Sequence, residues 1–247
     1  MLVRGADKNC RAKDPAACRY HGAAFAPLQV TSRSFEGIFE KVNDSLTPSL
    51  VIPAHRPNDD GLMERFSYED GLGLEERAAL HRYSDQYGST RIRTILMNPD
   101  KVYDFNGESM DSLRSTIEIL DRVVAEHSVD VSGVPLWRGV KEFKYELAGL
   151  EEGSVFTCSS FTATSVDPEV AVSFSSKEAP ILLKVKARKG YRVAGQFLSE
   201  DEVLLKRGLS FRVARITENV HLEKRSPRFG EDGRVRGITL VEVEEIV

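Results

Sequence analysis

The spacing of apolar residues changes near Gly133, and this change restricts the chain to a fold that combines helices with a sheet. Before it, apolar side chains such as Leu113 and Ile117 recur every three or four residues, which is the spacing of a helix with one buried face. After it, short runs rich in valine, isoleucine, phenylalanine and threonine alternate with glycine and charged turns, as is typical of strands. We therefore expect an α+β fold, with a helical N-terminal layer over about 31–130 and a strand-rich part over about 134–247.

The helices predicted in the first part follow apolar spacing and its interruption by proline. They cover the segment around Phe35 to Val42, then about 74–87, 90–97 and 109–127. The proline-containing stretch 44–58 predicts a loop, because proline has no amide hydrogen for a helix or an inner strand. Ser109 is expected to cap the last of these helices with its hydroxyl group.

The second part predicts eight strands and two short helices. The strands cover about 134–138, 154–158, 160–165, 180–187, 190–193, 201–206, 209–217 and 237–246. The helices cover about 141–148 and 168–175. Asp167 is the expected N-cap of the second helix, and Pro168 suits its first position.

Composition and charge restrict the binding partners and the cellular location that we expect for the chain. A formal net charge of -4 argues against nucleic-acid binding driven by overall positive charge. No apolar run approaches the roughly 20 residues that span a membrane. The first ten residues also lack the apolar segment of a secretory signal peptide. Three cysteines, an odd number, do not make a disulfide framework. We therefore expect a protein that acts in the cytoplasm of a host or target cell, without contacting a membrane. We also expect a monomer.

Residues 1–24 differ in character and are expected to form an arm ahead of a single domain, 25–247. The arm contains Cys10, Cys18 and His21, whose thiolate and imidazole groups are ligands that zinc accepts. Because three ligands at this spacing match no standard zinc finger, we expect no metal here and no part for the arm in catalysis.

Three short segments of the second part carry side chains suited to chemistry. In the first, Arg138 ends a predicted strand and is followed at once by Gly139. The second, 160–165, is a strand rich in serine and threonine that leads into a short helix. In the third, Glu200 and Glu202 precede an apolar run, and strand alternation points both side chains the same way. Each segment is ordinary alone, whereas their order and spacing together are specific.

In this order the segments resemble the arginine, Ser-Thr-Ser and Glu-x-Glu motifs of the toxin-like mono-ADP-ribosyltransferases, some of which are phage enzymes. The resemblance covers about 134–213. It implies a two-sheet NAD-binding core, NAD as the substrate and no requirement for a metal. The helix over 74–87 is similar to the family's tyrosine-bearing helix, so the resemblance assigns Tyr83 and Tyr87 to the nicotinamide side of the site.

The resemblance also assigns a catalytic group and a phosphate ligand. Glu202 matches the catalytic carboxylate, which accepts a hydrogen bond from a ribose hydroxyl and favours the oxocarbenium-like transition state. Arg138 matches the cation near the NAD phosphates, whose oxygen atoms suit the guanidinium fork. Gly139 would let the backbone approach the nicotinamide amide, because it has no side chain.

Further positions follow from the same resemblance. Phe174 lies where the family places an aromatic ring against the nicotinamide, and Lys177 is a candidate phosphate ligand. Thr164 and Ser165 match the second and third residues of the Ser-Thr-Ser motif, but Ala163 stands where the first serine is expected. The hydroxyl that normally positions the catalytic glutamate is therefore missing, and a water molecule or Ser165 is expected to replace it.

The acceptor is indicated by the residue two positions before the catalytic glutamate. Glu200 at that position resembles members that modify arginine, and a second carboxylate would bind and orient a guanidinium group. Phe197, in the preceding loop, is expected to contact the target protein. Three alternatives stay open: an NAD glycohydrolase, an NAD-binding pseudoenzyme suggested by Ala163, and a transferase acting on nucleic acid. The last rests on a basic run with members between Lys206 and Arg236.

Overall fold

The computed structural model describes residues 48, 50–54, 71–85, 87–105, 107–140, 149–193, 202–225 and 233–246 of the 247-residue chain. The predictions for the arm 1–24, for the helix around Phe35 and for the helix 141–148 lie outside these residues. The helical N-terminal layer as a whole therefore stays a prediction.

Four helices lie within the described ranges, and their ends show how local sequence sets them. They are α1 (Leu74–Tyr83), α2 (Gly88–Met97), α3 (Met110–His127) and α4 (Pro168–Ser173). Both predicted N-caps are confirmed: the Ser109 hydroxyl accepts from the Ser112 amide at 3.1 Å, and Asp167 accepts from the Glu169 amide at 2.8 Å. No described helix combines the length and the apolar character needed to cross a membrane.

The prediction of one helix over 74–87 is wrong at its C-terminal end. The helix α1 stops at Tyr83, and α2 begins at Gly88 after a short turn. The two helices approach so closely there that a Cβ atom at Gly88 would lie 1.7 Å from the carbonyl oxygen of Arg82. This close approach depends on tertiary packing, which apolar spacing along one segment does not reveal.

The described residues form ten strands. They are β1 (Leu50–Ile52), β2 (Val129–Asp130), β3 (Leu136–Val140), β4 (Val155–Cys158), β5 (Thr162–Ser165), β6 (Ile181–Lys186), β7 (Lys189–Arg192), β8 (Glu202–Leu205), β9 (Leu209–Glu223) and β10 (Arg234–Ile246). All eight predicted strands are present with shifted ends. The predicted loop 44–58 is wrong over β1, because this apolar segment between two prolines pairs in parallel with one edge of β9.

Strand pairing runs in the order β1-β9-β10-β6-β3-β5-β8-β7-β2, with β4 also paired to β9. Two pairs, β1 with β9 and β10 with β6, are parallel, and the others are antiparallel. This mixed sheet agrees with the expected α+β class. The pairing forms a single path, so it does not itself show the expected division into two sheets.

Burial explains how the sheet is shaped around its core. Val203 and Leu205 of β8 share one apolar cluster with Phe211 of β9 and Val243 of β10. Because β8 and β9 lie five positions apart along the path, the sheet curls until these faces meet. Leu204 points to the opposite face and joins a second cluster with side chains of α1, α2 and α3. The helices α1, α2 and α3 therefore pack against the outer face of the β8 region.

The basic run that favoured a nucleic-acid acceptor makes several internal ion pairs. Arg207 forms a two-pronged pair with Asp121 of α3, through contacts of 2.8 Å and 2.6 Å. Arg234 lies 3.7 Å from Glu223 within the β9–β10 hairpin. Arg225 contacts Asp167 at the start of α4. These contacts neutralise three of the cations on which the nucleic-acid alternative depended.

The cap at Ser109 should contribute measurably to stability. Ser109→Ala removes the acceptor for the Ser112 amide, and we expect a loss of about 1 kcal/mol in the free energy of unfolding. Ser109→Asp keeps an acceptor and should stay close to the wild type in urea denaturation. An alanine variant as stable as the wild type would contradict this role of the hydroxyl group.

Candidate active site

A cleft of about 490 Å³ is lined by residues from α1, α2, β3, β5, α4 and β8. Its volume falls in the range of small-molecule sites. Eight residues singled out from the sequence contribute to its lining: Tyr83, Arg138, Gly139, Ala163, Thr164, Ser165, Phe174 and Glu202. The fold thus brings described residues of all three sequence motifs and of the tyrosine-bearing helix to one place.

Antiparallel pairing sets the register between the motifs. Ser165 of β5 lies directly opposite Glu202 of β8 and also opposite Trp137 of β3. Directly opposed residues have Cβ atoms about 4.5–5.5 Å apart and side chains on the same face of the sheet. The register therefore sets the Ser165 side chain next to that of Glu202 on the same face of the sheet.

Arg138 is held by the neighbouring strand. Its Nη1 atom donates a hydrogen bond to the carbonyl oxygen of Ala163, with a distance of 2.8 Å. The side chain is half-buried and lines the cleft. This bond fixes the guanidinium group against β5, so its charge lies beside the Ser-Thr-Ser segment.

Tyr83, on the helical wall of the cleft, interacts electrostatically with Glu202 and Arg138 on the sheet wall. Its ring is buried and meets Phe161 edge to face, with 6.4 Å between the centroids. Burial raises the pKa of Tyr83 far above its ordinary value, and the Glu202 carboxylate acts in the same direction, whereas Arg138 and Arg93 oppose it. The phenol therefore stays protonated and keeps a hydrogen to donate near an anionic group.

Arg93 is a cleft residue that sequence analysis missed. It lies on α2 with Ser89 and Thr90, which also line the cleft. Residues three or four positions apart share a helix face. The same helix buries Ile92 and Ile95, and Ile92 also lines the cleft, so the polar residues interspersed with these isoleucines were a signal that could have been found.

The wall formed by α4 depends on the absence of a side chain at Gly139. A Cβ atom there would lie 2.0 Å from the carbonyl oxygen of Ala171 and 2.9 Å from the amide nitrogen of Ser175. Direct packing of β3 on α4 is thus a reason for glycine at this position in the described structure. Phe174 follows α4, lines the cleft and is 46% exposed, which leaves its ring accessible to a ligand.

The Ser-Thr-Ser segment is well ordered by hydrogen bonds despite its alanine. The Thr164 hydroxyl donates to the carbonyl oxygen of Val203 at 2.6 Å and ties β5 to β8. The Ser165 hydroxyl accepts from the Asp167 amide at 3.0 Å. Ala163 lies opposite Leu204 and packs at the border of the helical cluster. The methyl group of Ala163 therefore lies among apolar side chains.

Other predicted site residues lie elsewhere or outside the described ranges. The Tyr87 side chain is 56% exposed, lies against the Arg91 guanidinium and is absent from the cleft lining. Lys177 is exposed and does not line the cleft either. Glu200 and Phe197 lie outside the described residues, as do the three potential zinc ligands of the arm.

One group of potential metal ligands exists within the described ranges, but its geometry serves another purpose. It consists of Glu76, Glu126 and His127. The Glu76 carboxylate accepts from the Gly73 amide at 2.8 Å and contacts Arg122 at 3.4 Å. Glu76 thus caps the start of α1 and pairs with Arg122 of α3, and these contacts account for its position without a metal ion.

Comparison with known proteins shows which family the sequence matches. The sequence profile of the ADP-ribosyltransferase exoenzyme family matches residues 61–238. No curated protein sequence matches the chain.

Several solved structures share the fold. Vis, an ADP-ribosyltransferase from Vibrio splendidus, is 22% identical with a TM-score of 0.52, over 76% of this chain and 81% of its own. Exoenzyme S from Pseudomonas aeruginosa, solved with human 14-3-3 protein beta and Carba-NAD, is 20% identical with a TM-score of 0.53, over 75% and 86%. The enzymatic component C2-I of the Clostridium botulinum C2 toxin is 18% identical with a TM-score of 0.52, over 72% and 45%. This chain therefore spans less than half of the C2-I chain.

The packing of Gly139 predicts that a single methyl group will be costly. Gly139→Ala forces α4 away from β3, and we expect a loss of roughly 1–3 kcal/mol in the free energy of unfolding. Gly71→Ala is the matched control, because its Cβ atom would meet nothing within 4 Å. Equal stability of the two variants in urea denaturation would contradict the close contact.

The environment of Tyr83 predicts that its phenol loses a proton only at a pH above the ordinary range for tyrosine. Subtracting the tyrosinate absorbance titration of Tyr83→Phe from that of the wild type should show no Tyr83 signal up to about pH 10, the ordinary midpoint for tyrosine. Glu202→Gln removes a negative charge that disfavours the phenolate, so it should shift the Tyr83 midpoint downward. A midpoint near 10 in the wild type, unmoved by Glu202→Gln, would contradict the described environment.

Proposed function

Because the chain belongs to the ADP-ribosyltransferase exoenzyme family, we propose that it transfers ADP-ribose from NAD to an arginine side chain of a target protein. Family membership itself makes NAD the substrate and ADP-ribose the transferred group. The observation that carries the proposal is the opposed pair of Ser165 and Glu202 in the cleft, with Glu200 two residues before the second of them.

The proposed NAD site uses two cations for one pyrophosphate. Arg138 and Arg93 both line the cleft, and both lower the pKa of Tyr83, so their charges act on the same region. Guanidinium groups form forked hydrogen bonds with phosphate oxygens. Thr164, Ser165, Tyr87 and Lys177 are further proposed NAD contacts. Lys177 and Tyr87 would have to act from outside the cleft lining.

The reacting end of NAD is proposed to lie near Phe174 and Glu202. The exposed ring of Phe174 can stack on the cationic nicotinamide. When the bond between the nicotinamide nitrogen and ribose C1′ breaks, its electron pair leaves with nicotinamide, which becomes neutral. Positive charge then develops on the ribose, and the Glu202 carboxylate favours it by accepting a hydrogen bond from a ribose hydroxyl.

Ser165 is proposed to take over the positioning of Glu202 from the missing serine at Ala163. Its place opposite Glu202 gives it the required proximity, and its hydroxyl already accepts from the Asp167 amide, which restricts its rotation. The protonated phenol of Tyr83 supplies a second polar group on the helical side. Such fixed dipoles act without reorganising when charge develops.

The acceptor step is proposed to depend on Glu200. A guanidinium group is protonated at neutral pH and is a poor nucleophile until it loses a proton. Glu200 would orient it, one nitrogen would bond to ribose C1′, and the released proton would pass to the Glu200 carboxylate. Phe197 is the proposed contact to the target protein. Vis, which shares the fold, has been solved with agmatine, a small guanidinium compound, and agmatine is therefore a suitable test acceptor.

Membership of the ADP-ribosyltransferase exoenzyme family supports the two-sheet core proposed from the sequence. One apolar cluster joins β8 to β9 and β10, although these strands lie far apart along the pairing path. We propose that the two halves of the curled sheet pack face to face as two layers. The cleft then lies outside that interior, beside the helices.

Two single substitutions should separate transfer from NAD cleavage. Glu202→Gln should abolish both nicotinamide release and labelling of agmatine, because it removes the group acting on the ribose. Glu200→Gln should reduce agmatine labelling roughly a hundredfold and spare much of the nicotinamide release, since only the acceptor loses its base. Glu118→Gln, an exposed acid on α3, is the matched control and should leave both activities unchanged.

The outcomes distinguish the open alternatives. Nicotinamide release without any labelling of agmatine or protein would favour the glycohydrolase. Parallel loss of both activities in Glu200→Gln would place Glu200 in NAD chemistry and remove the basis for arginine. Wild-type protein that binds NAD and releases no nicotinamide would favour the pseudoenzyme.

A further inference from the structure

Arg225, at the end of β9, makes a set of contacts that the proposed chemistry does not use. Its Nη2 atom pairs with Oδ2 of Asp167, and its Nε atom lies 3.6 Å from the Glu169 carboxylate. Its backbone amide also donates to Glu169 at 3.0 Å. One residue of the β9–β10 hairpin thus contacts the first turn of α4 through three groups.

Asp167 gives this contact its importance. Its side chain is 1% exposed, and it caps α4 by accepting from the Glu169 amide with its other oxygen atom. A buried carboxylate is strongly unfavourable without a partner of opposite charge. Arg225, whose side chain is 36% exposed, supplies that charge from the solvent side.

From Asp167 the contacts lead into the cleft along two routes. The Asp167 amide donates to Ser165, the residue opposite Glu202. The helix that Asp167 caps carries Val170 and Ala171 and ends beside Phe174, and these three residues line the cleft. Arg225 itself does not line it.

We infer that Arg225 is a positioning residue for NAD: it holds α4 against β3 and thereby sets the place of Phe174 at the cleft. The inference rests on the proposed site, because it concerns the wall that would meet nicotinamide. At Gly139 the backbones of β3 and α4 are in direct contact, because a Cβ atom there would lie 2.0 Å from the carbonyl oxygen of Ala171. A small displacement of α4 therefore moves Phe174 relative to Arg138 and Glu202.

The chain offers a matched control in Arg207. This arginine also forms a close, forked pair, with Asp121, and it also joins a strand region to a helix. Neither Arg207 nor Asp121 lines the cleft. A loss that reflects only a broken ion pair should therefore appear in Arg207→Ala as well, whereas a loss of positioning should appear only at Arg225.

The test compares Arg225→Ala, Arg225→Lys and Arg207→Ala in nicotinamide release without acceptor. Arg225→Ala should raise the KM for NAD roughly tenfold, equivalent to about 1.4 kcal/mol, with kcat within about twofold of wild type. The reason for the split is that Arg225 pairs with the Asp167 side chain at the start of α4, whereas Ser165 is held by the backbone amide of Asp167. Arg225→Lys should recover part of the affinity, because an ammonium group keeps the charge but cannot form the fork. Arg207→Ala should keep the wild-type KM.

The fluorescence of Trp137 reports the position of α4. Trp137 is the single tryptophan of the chain, lines the cleft and shares an apolar cluster with Ala171 and Val172 of α4. Its emission should shift in Arg225→Ala and stay unchanged in Arg207→Ala. Titration of this emission with NAD gives the binding constant independently of turnover.

The result that overturns the inference is a folded Arg225→Ala with the KM and the Trp137 emission of Arg207→Ala. Should Arg225→Ala fail to fold, Arg225→Lys decides: a wild-type KM overturns the inference, and a raised KM with normal kcat supports it. Wild-type protein that binds NAD but releases no nicotinamide contradicts the proposed reaction alone, and the NAD titration of Trp137 then decides the inference. Wild-type protein that binds no NAD overturns both.

Discussion

The pairing of β5 with β8 is the constraint on which the site depends. It sets Ser165 opposite Glu202, and neighbouring residues of the same strands fix that register by burial. Val203 and Leu205 enter the cluster inside the curled sheet, whereas Leu204 packs against the helices. A slip by one residue would exchange these faces and turn Glu202 into an apolar interior. The position of the carboxylate is therefore secured by the hydrophobic effect acting on its neighbours.

The two walls of the cleft are held by separate polar contacts. On the helical side, Glu108 lies 2.7 Å from Arg91 of α2 and 3.5 Å from Arg82 of α1, which joins the two helices around the turn after Tyr83. On the other side, Asp167 caps α4 and meets Arg225. Because neither contact lies within the cleft lining, the side chains that face a ligand stay available for it.

The features that sequence predicted well are those determined locally. The strands and the serine and aspartate caps depend on residues close together along the chain, and each of these elements is present. The break between α1 and α2, the edge strand β1 and the cleft position of Arg93 depend on contacts between distant segments. Gly139 lines the cleft, and its packing against Ala171 depends on the position of α4, which no local sequence pattern reveals. The roles assigned to single residues stay predictions.

We propose that this cleft uses NAD to modify arginine. This proposal is tested most directly by incubating the protein with isotopically labelled NAD and a cell lysate and locating the labelled ADP-ribose by mass spectrometry. The expected result is protein-bound ADP-ribose that is attached to arginine side chains and depends on Glu202. Attachment to asparagine, cysteine or nucleotides, or label found only in free ADP-ribose, would contradict it.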